Sequence, residues 1–397
     1  MTTLRTPGPT LGVVGGGQLG RMLAEAAAPL GVEVVVLDPT PDCPAAPVAR
    51  DQIVAEFDDE AGIRELAARA DVLTFEIELA DQDVLERVSE ESGTPVHPDP
   101  ATLETIHDKL VQKRALEDAG VPVPPFRAVE GPDDVREAID DYGAPVMLKA
   151  RTGGYDGRGN VPVESKADAE DALESVAGPA MVESFVDFER EISVIAVKGD
   201  GETAAFPIGE NVHEDEILRE TIVPAGSSEA VEQRALEVAE DVLGVMDGRG
   251  VYGIELFEVS EARSASEDSS DGTVLLNEIA PRPHNSGHWT IEGAQSSQFE
   301  QHARAVLGWP LAATDLRSPT VSVNLLGDVK ESRDAELRDV ERILETPAAN
   351  LHWYGKRQAR PLRKMGHVTI TDREGETAED LLETARELER SVTFTAE

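Results

Sequence analysis

The sequence predicts an α/β protein: a doubly wound parallel sheet at the N-terminus, an α+β region after it, and a small β-rich tail. Three observations carry this reading. Apolar strands and amphipathic helices alternate over the first hundred residues, which requires parallel strands with helical crossovers. From residue 126 the pattern turns to paired strands flanked by helices, and after Pro310 three short strands precede one last helix. In order, TLGVVGG is a buried strand, Gln18 to Leu30 a helix, and VEVVVLD a second strand ending at Asp38. DDEAGIRELAARA is helical, DVLTFE is a third strand, DQDVLERVSEE is a helix, and a further helix runs over residues 102–119. VPVPP at 121–125 punctuates the chain. Beyond it come the strand APVMLKA, the glycine-rich TGGYDGRGN, a helix from 166, the strands PAMVESFV and REISVIAVK, and a long helix over 228–246. VYGIELFEV and TVLLNEIA make a hairpin whose polar tip, residues 260–272, reads as a mobile loop rather than a site. VSVNLLG, LHWYG, HVTIT and the helix ETAEDLLETARELER complete the chain, with no internal repeat.

Composition narrows the functions open to this fold. The 397 residues carry 78 Asp and Glu against 36 Lys and Arg, a formal net charge of −42. That length suits two or three domains with ample core. A charge of this sign repels phosphate backbones, so nucleic acid is not an expected partner. No apolar run approaches the ~20 residues of a membrane span, and no charged-then-apolar leader opens the chain. Cys43 is the only cysteine, which excludes an internal disulfide and a cysteine-rich metal site. The expected setting is a reducing cytoplasm, and one rich in salt, where screening makes such self-repulsion tolerable.

Four motifs and one charge cluster carry chemistry. Residues 15–20, GGGQLG, lie between a strand and a helix, with Asp38 ending the next strand. This is the dinucleotide pattern, in which glycines allow a tight turn and the helix N-terminus takes a phosphate. It suggests a nicotinamide cofactor, although related turns also serve other phosphates or none. Lys149, at a strand end, leads into a loop with Arg151, Gly153, Gly154, Gly157, Arg158 and Gly159. Free amides and cations suit a polyphosphate, the spacing is not that of a Walker loop, and an ordinary hairpin is the alternative. Glu255 and Glu278 interrupt apolar strands, where a charge is costly unless paired or bound to metal. Paired in a hairpin, they would stand together with Asn277 as hard oxygen donors for Mg²⁺, unless strand alternation turns one of them to solvent. PRPHNSGHWT at 281–290 is rigid and rich in donors, which suits an anion; Pro283 and Gly287 argue against His284 and His288 forming a helical zinc pair. Lys356, Arg357, Arg360, Arg363 and Lys364 form the one dense basic cluster, either a solvated face or a phosphate pocket.

Taken together these stretches resemble the N5-carboxyaminoimidazole ribonucleotide synthase family. The matching segments are GGGQLGRML at 15–23, KARTGGYDGRG at 149–159, NEIAPRPHNSGHWTIEGAQSSQFEQHARAVLGWPL at 277–311, and LHWYGK with RPLRKMGH at 351–367; TFEIE at 74–78 and HDKLVQK at 107–113 also fit. The resemblance implies an ATP-grasp fold with an N-terminal Rossmann-like domain over 1–105, an ATP-grasp domain over 106–310 and a small β-rich domain over 311–397. It implies a cytoplasmic homodimer and the conversion of 5-aminoimidazole ribonucleotide, ATP and bicarbonate to N5-carboxyaminoimidazole ribonucleotide, ADP and phosphate through carboxyphosphate. It also displaces the nicotinamide reading, because the family's glycine turn serves the ribonucleotide.

The same resemblance assigns residues. ATP would be held by Lys109, Lys149, the loop residues Gly154, Tyr155, Asp156, Gly157, Arg158, Gly159 and Asn160, and by Glu191, His213 and Asn277. Glu183, Ser184, Phe185 and Val186 would form the hinge whose backbone reads adenine. Glu255 and Glu278 would hold Mg²⁺, with Mn²⁺ as an alternative. Gln18, Glu76, Tyr155, Asp156, Arg158, Lys356 and Arg363 would surround the ribonucleotide, and Arg282, His284 and Asn285 would stand near the reacting anion. Two features depart from the family pattern: the polar tip at 260–272 is longer and more acidic, and the net charge is extreme around a site for three anions.

Overall fold

The computed structural model describes residues 4–153, 159–176, 178–259, 274–373 and 375–395. Four parallel strands form the first sheet, in the order Asp51–Ile53, Glu33–Leu37, Thr10–Val14, Val72–Phe75. The apolar runs that predicted the last three of these strands are buried on both faces, as a covered parallel sheet requires, whereas the edge strand Asp51–Ile53 has no such run and was not expected. One face packs on the helix Gln18–Ala27, which ends three residues earlier than the sequence suggests because Pro29 tightens the chain into a 3₁₀ turn, Ala28–Leu30. The helix expected over 102–119 is two helices, Pro100–His107 and Lys109–Asp118. Asp108 separates them in an extended conformation and caps the second, accepting from the amides of Leu110 and Val111.

Beyond the proline-rich punctuation, four antiparallel strands form a second sheet in the order Phe126–Val129, Ala180–Ser184, Val146–Ala150, Asn160–Val163. Val135, Ala138, Ala172 and Val176 of two helices close its outer face. The third sheet runs Val274–Ala280, Gly250–Glu258, Arg190–Lys198, Gly209–Glu214, Ile217–Val223, Thr320–Leu326, Lys364–Thr371, Ala349–Trp353, with Thr203–Ala205 beside Arg190–Lys198. The tail strands are therefore not a sheet apart: Thr320–Leu326 pairs with Ile217–Val223 and extends the central sheet. Val231, Ala235, Val238 and Val242 of the helix Glu229–Val245 pack on Tyr252, Ile254 and Leu256 at one end. Leu381, Ala385 and Leu388 of Ala378–Ser391 cover the tail end.

A third contact ties the first sheet to the rest. Phe299, Ala303 and Val306 of the helix Gln298–Val306 share a core with Leu11, Val13, Leu23 and Tyr354. Buried apolar area contributes about 25 cal/mol per Å², and this seam joins the N-terminal unit, the central sheet and the tail around one interior. Polar pins fix the register. His302 accepts from the amide of Val251 through Nδ1 (3.1 Å) and so donates from Nε2 to Thr74 Oγ1 at 2.8 Å.

Candidate functional site

The second and third sheets face each other across a cavity of about 850 Å³, reached by the N-terminal unit at Glu78 and by the tail at Lys364. Its floor is built on the hairpin Gly250–Glu258 and Val274–Ala280. Glu255 lies directly opposite Glu278, and the register then slips so that Leu256 meets Leu276. The slip makes Asn277 an extra residue. Such a bulge re-aims side chains, and Glu255, Asn277 and Glu278 all line the cavity. Neither carboxylate turns away to bulk solvent.

Cations divide unequally between the two acids. Lys109 Nζ lies 2.9 Å from Glu278 Oε1, and that charge holds the Glu278 carboxyl down near about 2. Half of the Glu278 side chain still opens into the cavity. Glu255 has the His284 imidazole nearby, with Nε2 3.8 Å from Oε1, but burial, reinforced by the charge of Glu278, outweighs the opposing charges of His213 and Lys364 and pushes it up to about 7. An under-compensated carboxylate beside an ionised one is a donor set that fits a hard divalent cation completing its shell from phosphate oxygens and water. Among the described residues no three side chains of His, Cys, Asp or Glu form a complete metal cage, so any ion here depends on such outside oxygens.

Lys149, next to last in the strand Val146–Ala150, enters the cavity from the opposite sheet, its Nζ in an ion pair with Glu183 and 3.5 Å from Asn277 Oδ1. Asn160 and Gly153 line the same wall. The loop assignments to Gly154, Tyr155, Asp156, Gly157 and Arg158 lie outside the described residues, as does the polar tip at 260–272. Gly159 is described, at φ +88, and accepts from the amide of Ala150 at 2.8 Å without lining the cavity.

Glu191 and His213 stand on neighbouring strands and share a hydrogen bond through His213 Nδ1. Burial opposes a charge on His213, but Glu191 and Glu255 together raise its pKa above the ordinary value. Arg282 points its guanidinium at Glu78, 2.8 Å from Oε1. His284 receives the Ser286 amide at Nδ1, which leaves the proton on Nε2, and burial holds the ring neutral with a pKa near about 3. Asn285 also lines the cavity, and neither atom of its buried amide has a partner among the described residues.

Several expected site residues are not among those that line this cavity. Glu183, Ser184, Phe185 and Val186 do not line the cavity; Glu183 is buried behind it, while Phe185 is exposed. Gln18 opens the first helix and is not among the residues that line the cavity, and Glu76 sits in the glycine turn. There the Glu76 carboxylate accepts from the amides of Gly17 and Gly20 (2.7 Å from the latter), while Asp38 takes the Gly16 amide at 2.9 Å. Gly15 adopts φ +105, and a Cβ at Gly15 or Gly17 would collide with Glu76 at 2.4 and 2.8 Å. The amides that would bind a dinucleotide are thus satisfied by the chain's own acids, which corrects the nicotinamide expectation. Burial raises the Glu76 carboxyl to about 7 even so, against those two amides.

In the basic cluster only Lys364 reaches the cavity. Lys356 donates to the Lys364 carbonyl at 2.7 Å, Arg363 to the Gln358 carbonyl at 2.9 Å, and Arg357 bonds Asp42 at 2.8 Å. Sequence reasoning passed over Glu78 and Lys113, although TFEIE and HDKLVQK contain them. Lys113 is buried, donates to the Leu276 carbonyl at 3.0 Å and lies 3.4 Å from Glu183 Oε2.

Comparison with known proteins adds three family matches and close relatives. Residues 9–107 match the ribonucleotide synthetase preATP-grasp domain, 114–299 the ATP-grasp domain, and 320–381 the phosphoribosylaminoimidazole carboxylase C-terminal domain. The chain is 44% identical over 368 residues to the N5-carboxyaminoimidazole ribonucleotide synthase of Brucella melitensis, covering 91% of this chain and 96% of the relative. The crystal structure of N5-carboxyaminoimidazole ribonucleotide synthetase from Thermotoga maritima is similar at TM-score 0.85 and 38% identity, over 98% of this chain and 100% of that one. That of N5-carboxyaminoimidazole synthase from Aspergillus clavatus, in complex with ADP and 5-aminoimidazole ribonucleotide, is similar at TM-score 0.86 and 35% identity, over 96% and 98% of the two chains.

Proposed function

The chain belongs to the N5-carboxyaminoimidazole ribonucleotide synthase family of ATP-grasp ligases, and from that premise we propose how its own residues divide the work. The reaction is the ATP-dependent carboxylation of 5-aminoimidazole ribonucleotide with bicarbonate, giving N5-carboxyaminoimidazole ribonucleotide, ADP and phosphate in purine biosynthesis. The observation that carries the division is the convergence of Lys149, Asn277, two register-paired glutamates and the 282–285 segment on one cavity.

A bicarbonate oxygen bonds to the γ-phosphorus as the bond to the departing ADP oxygen breaks, giving carboxyphosphate. Such a transfer needs alignment and charge neutralisation more than a covalent catalyst. Lys109 and Lys149 supply fixed positive charge on the phosphate side, and Asn277 a hydrogen-bonding amide beside Lys149. Glu255 and Glu278 would hold Mg²⁺, or Mn²⁺ on the same oxygens, which when bound offsets charge on the phosphoryl oxygens. Arg282, the Nε2 proton of neutral His284 and the open amide of Asn285 orient the small anion. The exocyclic amine then attacks the carboxyl carbon and phosphate leaves. Asp156 or that phosphate takes the amine proton, and Tyr155, Asp156 and Arg158 would stand against the ribonucleotide, as the resemblance implies. Gln18, Glu76, Lys356 and Arg363 keep their assignment to the same substrate, with Lys356 and Arg363 on its phosphate; Glu191 takes the nucleotide ribose hydroxyls, His213 keeps its assignment to ATP, and residues 183–186 keep the adenine.

Phosphate release from ATP in the presence of Mg²⁺ and bicarbonate, with and without the ribonucleotide, tests the reading. Release that depends on the ribonucleotide is the expected outcome; release without it would reopen the acceptor, and no release from folded protein would end the ligase assignment. The proposed setting is a homodimer in a salt-rich cytoplasm, on the strength of the resemblance and of the −42 charge. A melting temperature that does not rise between low and molar KCl counts against the salt part of this reading.

A further inference from the structure

Lys113 has no assigned role, and its surroundings give it one. It lies one helical turn after Lys109 on Lys109–Asp118, so the two ammonium groups leave the same face of the helix. Lys109 reaches the cavity and Glu278, whereas Lys113 stops behind the wall. Its Nζ donates to the Leu276 carbonyl at 3.0 Å and stands 3.4 Å from Glu183 Oε2, an ion pair rather than a tight hydrogen bond. The other oxygen of Glu183 meets Lys149. All three groups are withdrawn from water: Lys113 is 2% exposed, Glu183 3% and Lys149 8%.

Burying an ammonium costs several kcal/mol that a methionine of similar length would not incur. The lysine therefore has to be accounted for by its charge. Burial lowers its pKa to about 8 while Glu183 opposes the fall, so the group remains an ammonium at neutral pH. The count of charges is then decisive. Glu183 paired with Lys149 alone would be neutral, with the Lys149 ammonium committed to a carboxylate that faces away from the cavity. With Lys113 on its second oxygen the trio carries one net positive charge, and Lys149 is the only member of the trio that lines the cavity. We propose that Lys113 is a positioning residue for the nucleotide phosphates: by sharing Glu183 it leaves the charge of Lys149 free to face the phosphate groups across the cavity.

This inference rests on the nucleotide reading of the cavity, and the test separates the two. A purely structural role, tying the helix to the strands Val274–Ala280 and Ala180–Ser184, would weaken adenosine and ADP alike, since the strand carrying Glu183 leads into the proposed adenine hinge. A charge role weakens only the ligand with phosphates. The measurement is the affinity of the full chain for MgADP by calorimetry and for adenosine by ligand-observed NMR, in Lys113→Gln and Lys113→Arg. Glutamine keeps a donor for the Leu276 carbonyl and removes the charge; arginine keeps the charge. Lys113→Gln should bind MgADP roughly tenfold more weakly with adenosine within about twofold, and Lys113→Arg should recover MgADP affinity to within about threefold. Equal weakening of both ligands, an unchanged MgADP affinity in the glutamine variant, or an arginine variant as weak as glutamine would each overturn the proposal. Should Lys113→Gln not fold, Lys113→Met carries the same comparison. An unsubstituted chain that binds neither ligand would overturn the nucleotide reading itself, and the proposal with it.

Discussion

Asn285 presents a buried amide with no partner among the described residues, on the cavity wall between His284 and Ser286. An unsatisfied polar group costs about 1–3 kcal/mol, so removing this one leaves nothing orphaned and relieves a penalty. Asn285→Ala should keep or slightly raise the melting temperature while kcat/KM for bicarbonate falls at least about tenfold. A loss of stability with unchanged turnover would show the amide to be structural. Glu278 makes the opposite case, because it is the ionised member of its pair and the counter-ion of Lys109. Glu278→Gln keeps the shape, removes the charge from both Lys109 and the proposed cation, and should reduce ATP turnover by about a hundredfold or more with the far-UV spectrum intact. Near-normal turnover in that variant would remove the metal assignment. The residue types at both positions stood out in the sequence, as acids in apolar strands and donors in a proline-fixed turn. Their partners did not, because Lys109 and Glu278 are 169 positions apart and only the fold brings them together.

Among the elements, the break at Asp108 does the most to aim the site. Its carboxylate caps the helix Lys109–Asp118 and binds Arg151 through Nε at 3.0 Å, while the Lys109 amide donates to the Arg151 carbonyl at 2.9 Å. One side chain thus sets both the helix that delivers Lys109 and the start of the glycine loop. Asp108→Ala should cost about 1–2 kcal/mol through the lost cap, with more from an unpaired Arg151. The KM for ATP should rise together with the fall in urea midpoint, and a stability loss with unchanged KM would limit Asp108 to capping. The sequence showed one helix here because its apolar spacing continues across the break, and a capping aspartate inside a helical pattern is indistinguishable from an exposed acid. The hairpin bulge was hidden for a related reason. Alternation predicts that Asn277 and Glu278 face opposite sides, and only the register slip at Glu255 and Leu256 brings both into the cavity. The glycine turn was visible as a turn, but its occupant, Glu76, comes from a different strand, 59 positions from Gly17.

For the whole molecule, the succession of parallel and antiparallel sheets was legible from the period of the apolar residues. The continuation of the central sheet into the tail was not, because strand order across Ile217–Val223 and Thr320–Leu326 is a long-range pairing without a local signal. The same packing buries histidines, and this makes acid stability a property of the complete fold. His97, His284, His288, His302 and His367 are all held below the ordinary value, in each case first by burial, with His97 near about 4 and His284 and His302 near about 3. In the unfolded chain they protonate below pH ~6.5. Folded pKa values below unfolded ones mean that unfolding takes up protons, so stability present above pH ~6.5 is lost as pH falls. Glu76 and Glu255 act in the opposite sense, because their folded values near about 7 lie above the unfolded ones and unfolding releases protons between pH ~4.5 and 7. His213 and Glu389, also held above their ordinary values, act on the same side as these two carboxyls, and five imidazoles against them still leave a net uptake of protons on unfolding near pH 5.5. In metal-free buffer of fixed ionic strength the urea midpoint should therefore fall from pH 7.5 to 5.5, and His302→Gln should make the fall shallower by about one proton. A midpoint that holds or rises on acidification would mean that the buried carboxyls dominate, and that the imidazoles at the domain seam are hydrated well enough to stay protonated in the folded chain.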